Sequence, residues 1–70
     1  MPSCVVLRGA YITLVQAVKV AGLAESGGQA KRLVRAGGIT VNGQVEQRPG
    51  RKLVAGDRIA VEGREWVIQP

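Results

Sequence analysis

The stretch Gly37-Gly-Ile-Thr-Val-Asn-Gly-Gln-Val45 decides the fold, because a helical pattern ends in it and a strand pattern begins. Its two glycines supply the left-handed conformation that commonly ends a helix. The β-branched residues 39–41 favour a strand, and Asn42-Gly43 between two short strands is a strong hairpin signal. The sequence therefore predicts helices before residue 37 and an antiparallel hairpin after it.

Two helices are predicted upstream of these glycines. The sequence Thr13-Leu-Val-Gln16 is a capping box followed by apolar residues at helical spacing, and it predicts a helix over residues 14–21. A second start signal, Ser26-Gly-Gly-Gln29, predicts a helix over residues 27–36. Its serine can accept from exposed backbone N–H groups, and its glutamine can reach back.

Short strands are predicted for the rest of the chain. A β-branched, apolar run predicts a strand over residues 3–7, and alternation predicts strands at 59–61 and 64–68. Residues 48–52 are predicted to form a turn-rich basic loop. The predicted fold is a single α+β domain spanning residues 1–70, with two helices packed on a small, mainly antiparallel sheet.

Composition limits the chemistry of the chain. Its one cysteine, Cys4, cannot form an internal disulfide, and the absence of histidine removes the commonest metal ligand and general base. There is no Ser-His-Asp set and no Gly-x-x-x-x-Gly-Lys sequence. We therefore expect no enzymatic activity, no metal and no small-molecule cofactor. No apolar run approaches the roughly 18 residues of a membrane span, so we expect a cytoplasmic location without membrane contact.

The core should be aliphatic, because Tyr11 and Trp66 are the chain's two aromatic residues. Trp66 lies in an alternating strand and is expected to anchor the core rather than to stack on a nucleobase. Cys4 lies beside valines and is expected to be a buried small hydrophobic residue. The role of Tyr11, just before the first helix, stays open.

The net charge of +5 is concentrated in one span. Residues 26–52 contain one acidic residue, Glu46. The basic residues of the span are Lys31, Arg32, Arg35, Arg48, Arg51 and Lys52. The rest of the chain carries equal numbers of acidic and basic residues, so the whole excess lies in this span. A partner rich in phosphate or carboxylate is expected for so basic a surface.

Lys31, Arg32 and Arg35 form what we call the basic stripe. At about 100° per residue they fall on one face of the predicted second helix, opposite its apolar residues. A solvated helix face would have the same pattern. The stripe, however, has no acidic residue three or four positions away, and the next charge cluster, residues 48–52, is also basic. This gathering of like charges favours an anionic partner.

The start of the second helix allows two interpretations. Ser26, Gly27 and Gly28 combine free amide donors, a positive dipole end and little side-chain bulk, which lets a phosphate approach closely. The same serine could be a plain N-cap. Each glycine costs about 1 kcal/mol relative to alanine inside a helix, and backbone access is one reason to accept that cost.

Four segments between residues 13 and 61 are distinctive in combination. They are Gly22-Leu-Ala-Glu-Ser26, Ala30-Lys-Arg-Leu-Val34, Gly37-Gly-Ile-Thr-Val-Asn-Gly43 and Val54-Ala-Gly-Asp-Arg-Ile59. Together they resemble the RNA-binding domain first recognised in small-subunit ribosomal protein four, here called the S-four domain or alpha-L motif. The resemblance implies two helices on a small sheet and an RNA surface formed by the second helix and the adjoining loop. The basic stripe matches the family's basic helix positions, and the chain is similar to the stand-alone bacterial type.

The chain departs from the family pattern at two places. The family usually has Arg-Leu-Asp at the start of the first helix and an arginine after the serine, where this chain has Thr13-Leu14-Val15 and Gly27. Two customary basic contacts are therefore missing. Either the affinity for RNA is lower, or loop residues compensate, and both alternatives stay open. These loop residues are Arg48, Arg51 and Lys52.

The sequence predicts a non-catalytic RNA-binding protein that grips the phosphate backbone of a structured RNA, either ribosomal or transfer RNA. We expect a monomer that can associate with ribosomes. The predicted RNA-binding residues are Ser26, Gly27, Gly28, Lys31, Arg32, Arg35, Arg48, Arg51 and Lys52. The alternative is a basic adaptor that docks an acidic protein partner, because the same charges permit it.

Overall fold

The computed structural model describes residues 3–70. Its helices are α1 (Leu14–Val20) and α2 (Gly27–Arg35). Its strands are β1 (Ser3–Val6), β2 (Ile12–Thr13), β3 (Thr40–Val41), β4 (Gln44–Val45), β5 (Lys52–Leu53), β6 (Arg58–Val61) and β7 (Arg64–Gln69). Both predicted helices are confirmed. Each ends one residue earlier than predicted, because Ala21 and Ala36 are the C-cap residues.

Most of the strands form one five-stranded sheet in the order β1-β7-β6-β3-β4. Neighbouring strands are antiparallel except β1 and β7, which run parallel with Val5 opposite Ile68. A separate antiparallel pair joins β2 to β5, with Thr13 opposite Lys52. The predicted α+β fold with a mainly antiparallel sheet is confirmed. The predicted basic loop at residues 48–52 is one residue too long, because Lys52 already belongs to β5.

The predicted hairpin at Asn42-Gly43 is present, and hydrogen bonds attach it to a distant turn. Both residues have positive φ, 53° and 85°, as the central residues of a tight hairpin turn require. Asn42 Nδ2 donates to Asp57 Oδ1 (3.1 Å), and Asn42 Oδ1 accepts from the backbone N–H of Arg58 (3.0 Å). Asp57 Oδ2 accepts from the backbone N–H of Val54 (2.9 Å). Two of the segments that carry the family resemblance are thus bonded to each other.

The core is aliphatic and contains residues from both helices and both sheets. Its largest fully buried side chains are Leu14, Ile39, Leu53, Ile59, Ile68, Val5, Val18, Val34 and Val41. Trp66 is 4% exposed, which confirms its predicted place in the core. The guanidinium of Arg64 lies over the Trp66 ring, 4.9 Å from its centroid.

The prediction that Cys4 is buried is wrong. Side chains alternate along β1, so Val5 faces the core while Cys4 and Val6 are exposed. This strand is at one end of the five-stranded order, so one of its sides has no neighbouring strand among the described residues. The apolar run near the start of the chain therefore belongs to an edge strand with one buried face.

Asp57→Ala is expected to lower the free energy of unfolding by about 1–2 kcal/mol. The physical reason is that the Asn42 amide and the Val54 N–H lose their acceptor. Asp57→Asn keeps one acceptor oxygen and should cost less. Urea unfolding of the wild type and both variants measures the two losses. Equal stability of Asp57→Ala and the wild type would show that the bond between the two turns contributes nothing.

Candidate nucleic-acid interface

The start of α2 is capped by the residues predicted for it. Ser26 Oγ accepts from the backbone N–H of Gln29 at 3.2 Å, and Gln29 Oε1 accepts from the backbone N–H of Glu25 at 2.7 Å. The glutamine thus reaches back, as predicted, and its partner is the residue before the N-cap. The Ser26 side chain acts as an N-cap, while its contact with a phosphate stays a prediction.

Gly27 and Gly28 occupy the first two positions of α2. A Cβ atom at either position would meet nothing within 4 Å, and neither residue has a positive φ. Packing and backbone conformation therefore do not require glycine at these two positions. The first amides of a helix have no acceptor inside it, and contact of these N–H groups with a phosphate stays a prediction.

The basic stripe faces solvent, as predicted. Lys31, Arg32 and Arg35 are exposed, whereas Ala30 and Val34 are buried in the core. Among residues 3–70, no carboxylate lies within salt-bridge distance of the stripe. The stripe therefore presents positive charge that no carboxylate of the described chain neutralises.

Arg48 and Arg51 are in a different situation, because both are paired with Glu46. Arg48 donates from Nη2 to Glu46 Oε1 (2.9 Å) and from Nε to Glu46 Oε2 (3.2 Å). Arg51 donates from Nη1 to Glu46 Oε1 at 3.0 Å. We call these three residues the Glu46 cluster. Counting charges along the sequence missed this pairing, although an acidic residue inside so basic a span was a signal for it.

The Glu46 cluster keeps its carboxylate ionised. The hydrogen bonds from Arg48 first, and from Arg51 second, lower the pKa of Glu46 from its ordinary value to about 2. The same bond raises the pKa of Arg48. At neutral pH the cluster therefore holds one negative and two positive charges, and its net contribution to the surface is a single positive charge.

The segment that carries the cluster is attached to both helices. Gln47 Nε2 donates to the backbone carbonyl of Arg35, the last residue of α2, at 3.0 Å. The backbone N–H groups of Leu14 and Val15 at the start of α1 donate to the carbonyls of Arg51 (2.8 Å) and Pro49 (3.0 Å). These bonds place the Glu46 cluster beside the end of the helix that carries the basic stripe.

Lys52 points toward Tyr11 rather than into the Glu46 cluster. Its Nζ lies 4.8 Å from the centroid of the Tyr11 ring, a distance typical of a cation–π contact. The pairing of β5 with β2 brings the two residues together, because Lys52 lies opposite Thr13. Tyr11 is half exposed. The role of this residue, which the sequence left open, includes the contact with Lys52.

An open groove of about 800 Å³ lies beside Tyr11, between β1 and α1. Arg8 and Lys19 supply its charge, Val6 and Val20 supply exposed apolar area, and no acidic side chain lines it. The groove was not predicted from the sequence, because the packing of β1, α1 and the segment between them brings its lining residues together. The groove is a second positively charged surface, and it meets the basic span of residues 26–52 where Lys52 lies over Tyr11.

Two kinds of feature are absent from residues 3–70. No group of three His, Cys, Asp or Glu side chains in this range could hold a metal ion. Neither helix is long and apolar enough to cross a membrane.

The comparison with protein families agrees with this architecture. A family model described as the S4 domain matches residues 5–69. The chain belongs to the S4 domain family. The resemblance stated from four segments of the sequence is therefore confirmed, and the S4 domain match extends beyond residues 13–61 at both ends.

Two curated relatives match about three quarters of this chain. One is RlbA of Bacillus subtilis (strain 168), which is named a probable ribosome maturation protein. It is 42% identical to this chain over 52 residues, which are 74% of this chain and 73% of RlbA. YbcJ of Escherichia coli (strain K12), whose name proposes RNA binding, is 38% identical over 53 residues, 76% of each chain.

The low pKa of Glu46 predicts how the stability of the fold depends on pH. A carboxyl group whose folded pKa lies below its unfolded value stabilises the fold fully above the unfolded value, and this contribution is lost as pH falls through the folded value. For Glu46 the loss should occur between about pH 4.5 and pH 2. The midpoint temperature of thermal unfolding, measured from pH 7 to pH 2, should therefore fall more steeply for the wild type than for Glu46→Gln. Parallel pH profiles would contradict a stabilising Glu46 cluster.

Proposed function

We propose that this protein is a non-catalytic RNA-binding protein that holds the phosphate backbone of a structured RNA with α2 and the adjoining basic segment. The observation that carries the proposal is the exposed basic stripe, whose charge is not neutralised within the described chain. Gln47 holds the Glu46 cluster beside it. The S4 domain assignment and the RNA-binding name of YbcJ support the same function.

Phosphate contacts and RNA shape, rather than base contacts, are the proposed means of recognition. Guanidinium and ammonium groups bind phosphate oxygens through charge-assisted hydrogen bonds, and such contacts position a protein without reading sequence. Trp66, one of the chain's two aromatic residues, is buried, so it offers no stacking surface. Gly27 and Gly28 add accessible amides at the helix start.

The proposed target class is ribosomal or transfer RNA. RlbA, with a name that proposes ribosome maturation, supports an association with ribosomes. The proposed RNA-binding residues remain those predicted from the sequence, with Lys52 placed at the margin beside Tyr11. A monomeric state and a cytoplasmic location stay predictions.

The affinity for RNA is expected to fall steeply with salt concentration. If all six basic residues of the span contact phosphate, log K should fall with log salt at a slope of roughly −4 to −5, at about −0.7 to −0.9 per contact. Filter binding or fluorescence anisotropy with a transfer RNA transcript and a ribosomal RNA hairpin, from 50 to about 300 mM salt, measures this slope. Salt-insensitive binding would contradict a phosphate grip.

Lys31→Ala, Arg32→Ala and Arg35→Ala are each expected to weaken RNA binding several-fold, while changing the free energy of unfolding by less than about 0.5 kcal/mol. Their side chains are exposed and point away from the core. Arg64→Ala, at the first residue of β7, removes the same charge outside the proposed surface and is the control. A loss of affinity in Arg64→Ala equal to that in the stripe variants would contradict a localised site.

A second candidate function, an adaptor for an acidic protein partner, is favoured by the groove. Arg8 and Lys19 line it without any acidic neighbour, and Val6 and Val20 provide apolar contact area. A pull-down repeated after nuclease treatment separates the two functions. Partners that survive the nuclease and are lost in Lys19→Glu favour the adaptor, whereas partners that vanish with the nuclease favour RNA.

A further inference from the structure

A carboxylate lies within the surface proposed to bind phosphate. Its own charge repels phosphate and lowers the attraction that the neighbouring arginines exert at a distance. The Glu46 side chain is 9% exposed, so it is part of the packed structure rather than a mobile surface acid. A buried carboxylate at this position weakens phosphate binding unless it has a second effect that strengthens phosphate binding.

We propose that Glu46 is a positioning residue of the RNA surface, which holds the guanidinium groups of Arg48 and Arg51 in the orientation that a phosphate needs. This inference rests on the proposed function. It assigns Glu46 a role through the two arginines and not through contact with RNA.

The carboxylate is itself held firmly. The backbone N–H of Glu46 donates to the carbonyl of the buried Ile39 at 3.1 Å, and the backbone N–H of Gln47 donates to Glu46 Oε2 at 3.1 Å. Because hydrogen bonds with the arginines lower its pKa to about 2, the carboxylate stays charged well into the acidic range. The core therefore fixes the point to which both guanidinium groups are attached.

The arginines keep donors free while they are paired. A guanidinium has five N–H donors in a rigid planar fork; Arg48 uses Nε and Nη2 toward Glu46, and Arg51 uses Nη1. The Arg48 side chain is 77% exposed even in this pairing. Its unused N–H groups are thus oriented in advance, and phosphate binding has less side-chain freedom to remove.

Two effects of Glu46 on RNA affinity have opposite signs. As a neutralising charge it weakens binding, so Glu46→Gln would tighten it. As a positioning residue it strengthens binding, so Glu46→Gln would weaken it although the net charge rises by one. Glu65→Gln is a matched control, because Glu65 pairs with Arg58 at 3.0 Å across β6 and β7, outside the proposed surface. Both variants remove one negative charge; Glu46→Gln removes the carboxylate partner of two arginines, and Glu65→Gln removes that of one.

The experiment measures the dissociation constant of the full chain for a transfer RNA transcript and a ribosomal RNA hairpin. Glu46→Gln is expected to bind roughly three- to tenfold more weakly than the wild type, and Glu65→Gln equally or slightly more tightly. Binding by Glu46→Gln as tight as that by Glu65→Gln overturns the inference. If the wild type binds neither RNA, that result would instead overturn the proposed function.

A double-mutant cycle separates positioning from a merely structural role. In the background Arg48→Ala, Arg51→Ala, the substitution Glu46→Gln should cause no further loss of affinity, because Glu46 acts through these two side chains. A further loss in that background overturns the inference. Should Glu46→Gln fail to fold, Arg48→Lys keeps the charge but not the two-point pairing. It should bind RNA more weakly than the wild type, and wild-type affinity would overturn the inference.

Discussion

The basic surface depends on a segment that contains neither helix nor strand. Residues 46–51 are attached to the end of α2 by the Gln47 amide and to the start of α1 by two carbonyls. These bonds satisfy donors of α1 that have no acceptor inside the helix. They also fix the distance between the basic stripe and the arginines of the Glu46 cluster. A loop of this length without such bonds would place its arginines differently from one moment to the next, and a phosphate surface would have to be assembled at each binding event.

Short strands explain why polar side chains matter so much here. β2, β3, β4 and β5 have two residues each, too few for their own ladders to hold a turn in place. A seventy-residue chain also buries little apolar surface. Asn42 and Asp57 therefore join turns that the core does not reach, and Glu46 does the same for the basic segment. The motifs by which the family is recognised are, in this chain, partly the residues that make these bonds.

Local signals made the helices and the hairpin predictable. The capping box at Thr13 and the positive φ values at Asn42-Gly43 arise within four residues of sequence. The parallel pairing of β1 with β7 could not be predicted in the same way, because it joins the two ends of the chain. The exposure of Cys4 follows from that pairing. The hydrogen bonds of Glu46 needed the course of the chain between residues 46 and 51, which composition and spacing do not contain.

The structure changes the meaning of the charge that the sequence concentrates in residues 26–52. The basic stripe is free of carboxylates in the described chain, whereas the loop arginines share Glu46 and Lys52 lies on Tyr11. Glu46 offsets one of the three loop cations, so the loop offers a net charge of two toward any compensation for the missing arginine at Gly27. What the loop also offers is orientation, because its guanidinium groups are anchored to a buried carboxylate beside the end of α2. Such a surface has a lower net charge but guanidinium groups in fixed positions. Fixed positions suit the proposed recognition of the shape of a folded RNA more than attraction to any polyanion.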